Sequence, residues 1–481
     1  MKNTRLINLL KTFSKQEIKR FGDFVRSPYF NRSKRAEELF DVIGRYYPKF
    51  SSKDLSEQLV YKKIFKEKKY DYFKLKNVIS DLYGLAMDFI KHRVSENTFE
   101  KELLFLEDLR KRKLEKHYET ELKKVERSHL DKKIKNENYF FDLYRLTSEK
   151  IYYNFQLKPN TVFHMLQDEF DNFFLFSVIR LMKFYTLMFH EQRQNNFDYD
   201  MKLLDEIKQY LAGPEAENNP TFLLYKYILL LEENREKEHY YKVKEVHNKY
   251  SNVLTFTDNY MSYIHRIGFC AYLYNIVGDI SFHGEMFGMQ REMLEKGFYN
   301  NSVFPYPDFL NHVKIGTLAG EHNYVKNYIG KYKNRLPGDE KENCLNYVEA
   351  FIAFHLGKKQ KSLDFVSRTN FSNFIMKIQV KIMQIQLYYE LQMYEQLLGA
   401  VDTCRHYLKN ESSLTDQYRE TIAGFLGIVN YLALLNEDPK KAKDEYRKRD
   451  VIKQINALNT NVFGVKLWLM EQIKKPAFKR V

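Results

Sequence analysis

The sequence predicts an all-α chain: an α-solenoid of stacked antiparallel helical hairpins preceded by a small N-terminal helical domain. Helix-breaking turns recur at Val277-Gly278-Asp279, Ala319-Gly320-Glu321, Leu356-Gly357-Lys358, Leu391-Gln392-Met393 and Leu435-Asn436-Glu437, 35 to 44 residues apart. Each step leaves room for two helices and their turns. Between the turns, apolar residues follow helical spacing, and no segment alternates with the period of a strand. Glycine and proline number only 18 and 10 in 481 residues, about half their usual frequency, so few breaks interrupt the helices.

Residues 1–95 read as a basic helical domain. Ser14 and Glu17 have capping-box spacing ahead of Ile18, Phe21, Phe24 and Val25, and Ser51 to Asp54 predicts a second start before Leu55, Leu59 and Ile64. Pro28 ends the first helix, because it lacks an N–H and biases Ser27 away from helical backbone. A helix from about Tyr72 to Arg93 gathers Val78, Leu82, Leu85, Phe89 and Ile90 on one face. Residues 96–138 alternate in charge, as in Leu109-Arg110-Lys111-Arg112-Lys113-Leu114-Glu115-Lys116, and predict a solvated helical hairpin that links this domain to the repeat array.

Residues 139–481 carry the repeat. Phe170, Phe173 and Phe174 predict a buried face on the first long helix. From Asn373 to Glu390, Ile375, Ile378, Ile382, Ile385 and Tyr389 fall in one sector, and Lys377, Lys381, Gln384 and Tyr388 fall opposite, towards solvent or a ligand. Thr421 to Leu435 is the most membrane-like stretch. It is shorter than the roughly 20 residues a bilayer needs and predicts a buried helix that Ala423, Gly424 and Gly427 let a neighbour approach, with no transmembrane segment. Asp438-Pro439 predicts the next helix start.

Two of these features resemble known families. Leu356-Gly357 at the end of a first helix, and Ala319-Gly320 ahead of Tyr324, resemble the small residue and following aromatic of tetratricopeptide-like repeats. The signature tryptophan of that repeat is absent and the spacing varies. The string Phe24-Val25-Arg26-Ser27-Pro28-Tyr29-Phe30-Asn31, with the helices behind it, resembles an uncharacterised group of bacterial helical-repeat proteins. What the resemblance implies is an architecture, over residues 140 to 480, and an adaptor-like role.

Chemistry is sparse by comparison. Three well-separated cysteines, Cys270, Cys344 and Cys404, give no disulfide framework and suit a reducing, cytoplasmic compartment. The start of the chain lacks a signal-peptide core. Neither a His-Glu-x-x-His motif, a Cys-x-x-Cys motif nor a phosphate-binding glycine loop occurs. The nearest approaches to metal ligands are His190-Glu191 and the group Asp168, Glu169 and Asp171, which read more simply as a helix-end histidine and a solvated acidic turn. No catalytic, cofactor-binding or metal-ligating residue is therefore expected, and the chain reads as a non-enzymatic scaffold for another protein or a peptide. The proposed contact is the stripe Lys377, Lys381, Gln384 and Tyr388, whose polar ends suit an acidic peptide. The alternative draws on the net charge of +15, which gathers at the two ends of the chain. In it Lys62, Lys63, Lys66, Lys68, Lys69, Lys74 and Lys76 neutralise RNA or DNA phosphates while Tyr61, Phe65 or Tyr70 stacks on bases.

Overall fold

The computed structural model describes the chain except for residues 2, 66–68, 97, 158, 214–218, 301–302, 438–444 and 475–481. Lys66, Lys68 and the predicted start at Asp438-Pro439 thus lie outside the described residues. Those that are described form helices and turns, with no strand among them. The chain divides into two compact units, residues 1–131 with 145–166 and residues 132–144 with 167–481. The division falls inside two helices, α8 and α9.

The first unit holds α1 (Arg5–Leu10), α2 (Lys15–Arg26), α3 (Lys34–Ile43), α4 (Glu57–Phe65), α5 (Tyr72–Ser95), α6 (Phe99–Lys111) and α7 (Glu115–Leu130). It also takes the later part of α8 (Glu137–Leu157) and the first turn of α9 (Val162–Gln194). The capping box forms: Glu17 N–H donates to Ser14 Oγ at 3.2 Å and Ser14 N–H to Glu17 Oε2 at 2.6 Å. Leu6, Phe21, Phe40, Tyr61, Leu82 and Phe89 make the core beneath it. The second predicted start is displaced. Ser52 caps only a 3₁₀ turn, Lys53–Leu55, and the extended backbone of Ser56 delays α4 until Glu57. In the charged segment, α6 and α7 pair as predicted across Lys113, which takes left-handed backbone at φ 57°. Arg110 forms a mostly buried ion pair with Glu149 at 2.7 Å.

The second unit continues with α10 (Leu204–Leu211), α11 (Pro220–Asn234), α12 (Lys237–Tyr250), α13 (Phe256–Tyr272), α14 (His283–Glu295), α15 (Tyr306–Leu318) and α16 (His322–Tyr332). After these come α17 (Lys341–His355), α18 (Lys359–Val366), α19 (Phe374–Glu390), α20 (Tyr394–Asn410), α21 (Asp416–Glu437), α22 (Glu445–Asn456) and α23 (Val465–Lys474). Consecutive helices pack on one another from α11 to α16 and from α17 to α23, while α11 also packs on α13 and α15 on α17. Gly320, Gly357 and Gln392 adopt left-handed backbone between paired helices. The N–H after each reaches back to close the same helix end, as in Lys358 to Ala353 and Met393 to Tyr388, both at 2.9 Å. Gly278 is left-handed too, but it follows a π-helical turn, Leu273–Val277. A further turn of this kind sits at Arg235, φ 55°, where the sequence offers no glycine.

Several expectations need correction. Asn436 is not a turn residue: it lies within α21 and donates its side-chain amide to the Tyr389 hydroxyl at 3.0 Å. Phe170 and Phe173 are 59% and 46% exposed while Phe174 packs against the core, and the buried face of α9 is carried mainly by Val178, Ile179, Met182 and Tyr185. Helix α19 buries two faces. Ile378, Ile382, Ile385 and Tyr389 enter one core, while Met376, Val380, Met383 and Leu387 enter another. Of the small residues on α21, Gly424 meets a close neighbour, since a Cβ there would lie 2.6 Å from Leu458 Cδ2, whereas Gly427 meets nothing within 4 Å and Ala423 is exposed. Among the described residues, the helix long and apolar enough to cross a membrane by length and composition is Val162–Arg193 rather than Thr421 to Leu435, with 28% of its most apolar window buried. Finally, the second unit is not a row in which each hairpin meets only its neighbours. Asn461 donates its side-chain amide to Tyr274 O at 3.0 Å, 187 residues away, and Asn196 N–H reaches Ser413 O at 3.3 Å.

Candidate functional site

The cluster with the most chemistry lies where α9, α11 and α13 meet. His190 and Arg193 share a face of α9, one turn apart; Glu232 and the turn residue Arg235 do the same at the end of α11; His265 comes from α13. Glu232 and His265 have no solvent exposure. His265 Nδ1 lies 2.7 Å from Glu232 Oε1, Arg235 Nη2 donates to Oε2 at 2.6 Å, and Arg193 donates to the same oxygen. The His190 and His265 rings lie edge to face at 5.7 Å, and the Arg235 guanidinium covers the Tyr272 ring at 5.5 Å.

Burial and charge pull against each other here. Burial works to raise the Glu232 carboxyl, but the His265 hydrogen bond and the positive groups around it win and bring it down to about 2. Burial lowers the His190 imidazole to about 4 and Arg235 to about 10, with Glu232 opposing both shifts. Arg235 Nε and Nη1 and His265 Nε2 are buried and meet no hydrogen-bond partner among the described residues.

Donor atoms of His190, Glu232 and His265 lie within 4.8 Å of one another, a spacing that suits a metal ion. The chemistry does not suit one. Glu232 Oε2 already answers two guanidinium groups and Oε1 answers His265, and both guanidiniums would repel a cation. The sequence pairing of His190 with Glu191 is replaced by this one: Glu191 turns away to accept from Asn195 at 2.9 Å. Asp168 and Asp171 are exposed, and Asp171 accepts from Gln167 at 2.8 Å.

A second buried ionic group has a different character. Lys183 of α9 bridges Glu137 of α8 at 2.6 Å and Asp258 of α13 at 2.8 Å, and Arg180 stands 3.7 Å from Glu137. Tyr225 and Thr255 donate to Asp258 at 3.0 and 2.6 Å. Two acids face two bases, with Lys183 hydrogen-bonded to both acids, which is a structural tie between helices.

The stripe on α19 is less open than its spacing predicts. Lys377, Lys381, Gln384 and Tyr388 are half-buried; the Lys381 ammonium stands 5.7 Å over the Tyr407 ring, and Tyr388 packs against both cores that α19 enters. On another face of the helix, Gln379 Oε1 accepts from Lys314 Nζ of α15 at 3.2 Å and from the Tyr347 hydroxyl of α17 at 3.0 Å. Burial lowers Lys314 to about 8. The sequence missed this group because its members sit 32 and 65 residues from Gln379.

In the first unit, Lys62, Lys63, Lys69, Lys74 and Lys76 are exposed around α4 and the start of α5. The rings expected to stack on bases are engaged elsewhere. Tyr61 is buried, Phe65 stacks on it at 4.6 Å, and the Tyr70 hydroxyl donates to Glu57 at 2.9 Å. The exposed rings beside these lysines are Tyr72 and Phe73, at 50% and 71%. No family model matches this chain, nor does any curated protein or solved structure.

Proposed function

We propose that residues 167–481 form a curved α-solenoid, tetratricopeptide-like in its hairpins, that serves as a non-enzymatic scaffold for another protein or a peptide. The observation that carries this reading is the bond from Lys314 and Tyr347 to Gln379. It joins the first helices of three successive hairpins, skipping the helices between them. Such alignment gives one continuous surface on which an extended partner makes repeated contacts. Free, buried Cys270, Cys344 and Cys404 accord with a reducing, cytoplasmic setting. The test is affinity purification of the full chain at native salt with and without nuclease. A stoichiometric protein partner should persist through nuclease and be lost in the Lys314→Glu variant, with helix content unchanged by circular dichroism. Recovery undiminished by that change removes this surface from the reading.

Exposed Tyr72 and Phe73 among Lys62, Lys63, Lys69, Lys74 and Lys76 favour a second reading, RNA or DNA binding by the first unit. It predicts an affinity for single strands that falls steeply with salt and drops when Phe73 becomes alanine. Absence of any complex at low ionic strength rejects it.

A further inference from the structure

We propose that the cluster of His190, Arg193, Glu232, Arg235 and His265 is an anion site that takes a carboxylate. Charge supplies the first argument. Two guanidinium groups face a single carboxylate, and among the described residues Glu232 is the only acid either of them pairs with. Burial keeps the His190 imidazole neutral near pH 7, so it does not add to the excess. One positive charge is therefore left over in a largely buried place, a costly arrangement until an anion answers it. The Lys183 group shows what balance looks like in the same unit, with Glu137 and Asp258 set against Lys183 and Arg180.

Donor geometry supplies the second. The Arg235 side chain is only 9% exposed, yet Nε and Nη1 find no acceptor among the described residues. The Tyr272 ring covers one face of the Arg235 guanidinium, so a ligand meets it at its edge, where planar anions bind best. Access comes from the side of Arg193, whose side chain is 32% exposed. A monoanion balances the site; a phosphate dianion would overshoot it, and a metal ion would worsen the excess.

A carboxylate can come from a free small acid or from a peptide, at its C-terminus or an acidic side chain. The peptide source rests on the scaffold reading above; the site itself does not. The experiment titrates the full chain at pH 7 by isothermal calorimetry with N-acetylglycine, acetate, N-acetylglycinamide and zinc ion, each alone. Both carboxylates should bind saturably at one site, and the neutral amide and zinc should not. Arg193→Gln and Arg235→Lys should each weaken N-acetylglycine about tenfold or more, a change of about 1.4 kcal/mol. Arg235→Lys retains the charge that answers Glu232, which keeps the test open if Arg193→Gln fails to fold. Preference for N-acetylglycine over acetate supports a peptide source, whereas equal binding supports the site and assigns it to a free acid. Zinc binding without carboxylate binding, equal binding of acid and amide, or full affinity in both variants would overturn the proposal. None of these outcomes depends on recovering a protein partner, so the site and the scaffold reading fail separately.

Discussion

Glu232 shows how much one side chain can hold together. It sits unexposed at the end of an apolar run, Tyr227-Ile228-Leu229-Leu230-Leu231, and ties α11 to α9 and α13 through Arg193 and His265. Glu232→Gln leaves two guanidiniums without their carboxylate. The expected loss is about 3–5 kcal/mol of stability, read as a lower urea midpoint for the full chain. Acid should weaken the same region in two windows. The His190 imidazole titrates near 4 in the fold and at 6.5 when free, so the unfolded chain binds more protons between those values and stability falls as pH drops from 6.5 to 4. The Glu232 carboxyl, at about 2 against 4.5, holds its contribution above pH 4.5 and loses it as pH falls from 4.5 to 2. His190→Gln should reduce the slope of melting temperature against pH in the upper window, to which His247, His312 and His355 also contribute because burial lowers each to about 4; a slope unchanged from the parent contradicts the assignment. In the sequence, His190 stands beside Glu191, but residues adjacent on a helix point about 100° apart. Its true partners are 42 and 75 residues on. The visible clue was a glutamate at the end of five apolar residues, with an arginine one turn later.

Helices and their ends were the most legible scale. The Ser14 box, the break at Pro28, the span from Tyr72, and the turns at Gly278, Gly320, Gly357 and Gln392 all rest on local chemistry, and local chemistry is written in order along the chain. Arg235 and Lys113 escaped notice; like Gln392, each takes left-handed backbone without being glycine or asparagine, so its residue type gives no signal. Helix faces were harder to assign. Periodicity finds an apolar stripe but not how many neighbours a helix has, and α19 has enough to bury two faces. Glycines within helices divide the same way. Gly424 allows contact with Leu458 and Gly427 meets nothing within 4 Å. Gly424→Val should therefore cost about 1–3 kcal/mol by overpacking, whereas Gly427→Ala should stabilise by about 0.5–1 kcal/mol through helix propensity alone. Thermal melts of both variants decide it, and equal effects would remove the packing role of Gly424.

At the scale of the whole molecule, the return of the C-terminal helices onto α13 is the feature periodicity could not foresee. The π turn at Leu273–Val277 breaks the regular hydrogen-bond ladder, and Asn461 answers it by donating to Tyr274 O and Asn275 O. Asn461 also accepts from Leu467 N–H at 3.0 Å, so one buried amide joins the start of α23 to the end of α13. Asn461→Ala should cost about 1–3 kcal/mol, with faster hydrogen exchange in α22 and α23 and little change in α1 to α5. Protection lost uniformly along the chain would show that the contact is not local to this closure.

By itself the sequence determined that the chain is helical, where many of its helices begin and end, and that its cysteines are buried thiols, because capping, helical periodicity and turn chemistry act within a few residues. Only the tertiary structure decided which faces are covered, where the chain divides into units, and that Arg193, Glu232, Arg235 and His265 meet. Those outcomes depend on which distant helices come to share a surface, and an uncompensated charge exists only once folding has brought its neighbours together and excluded water.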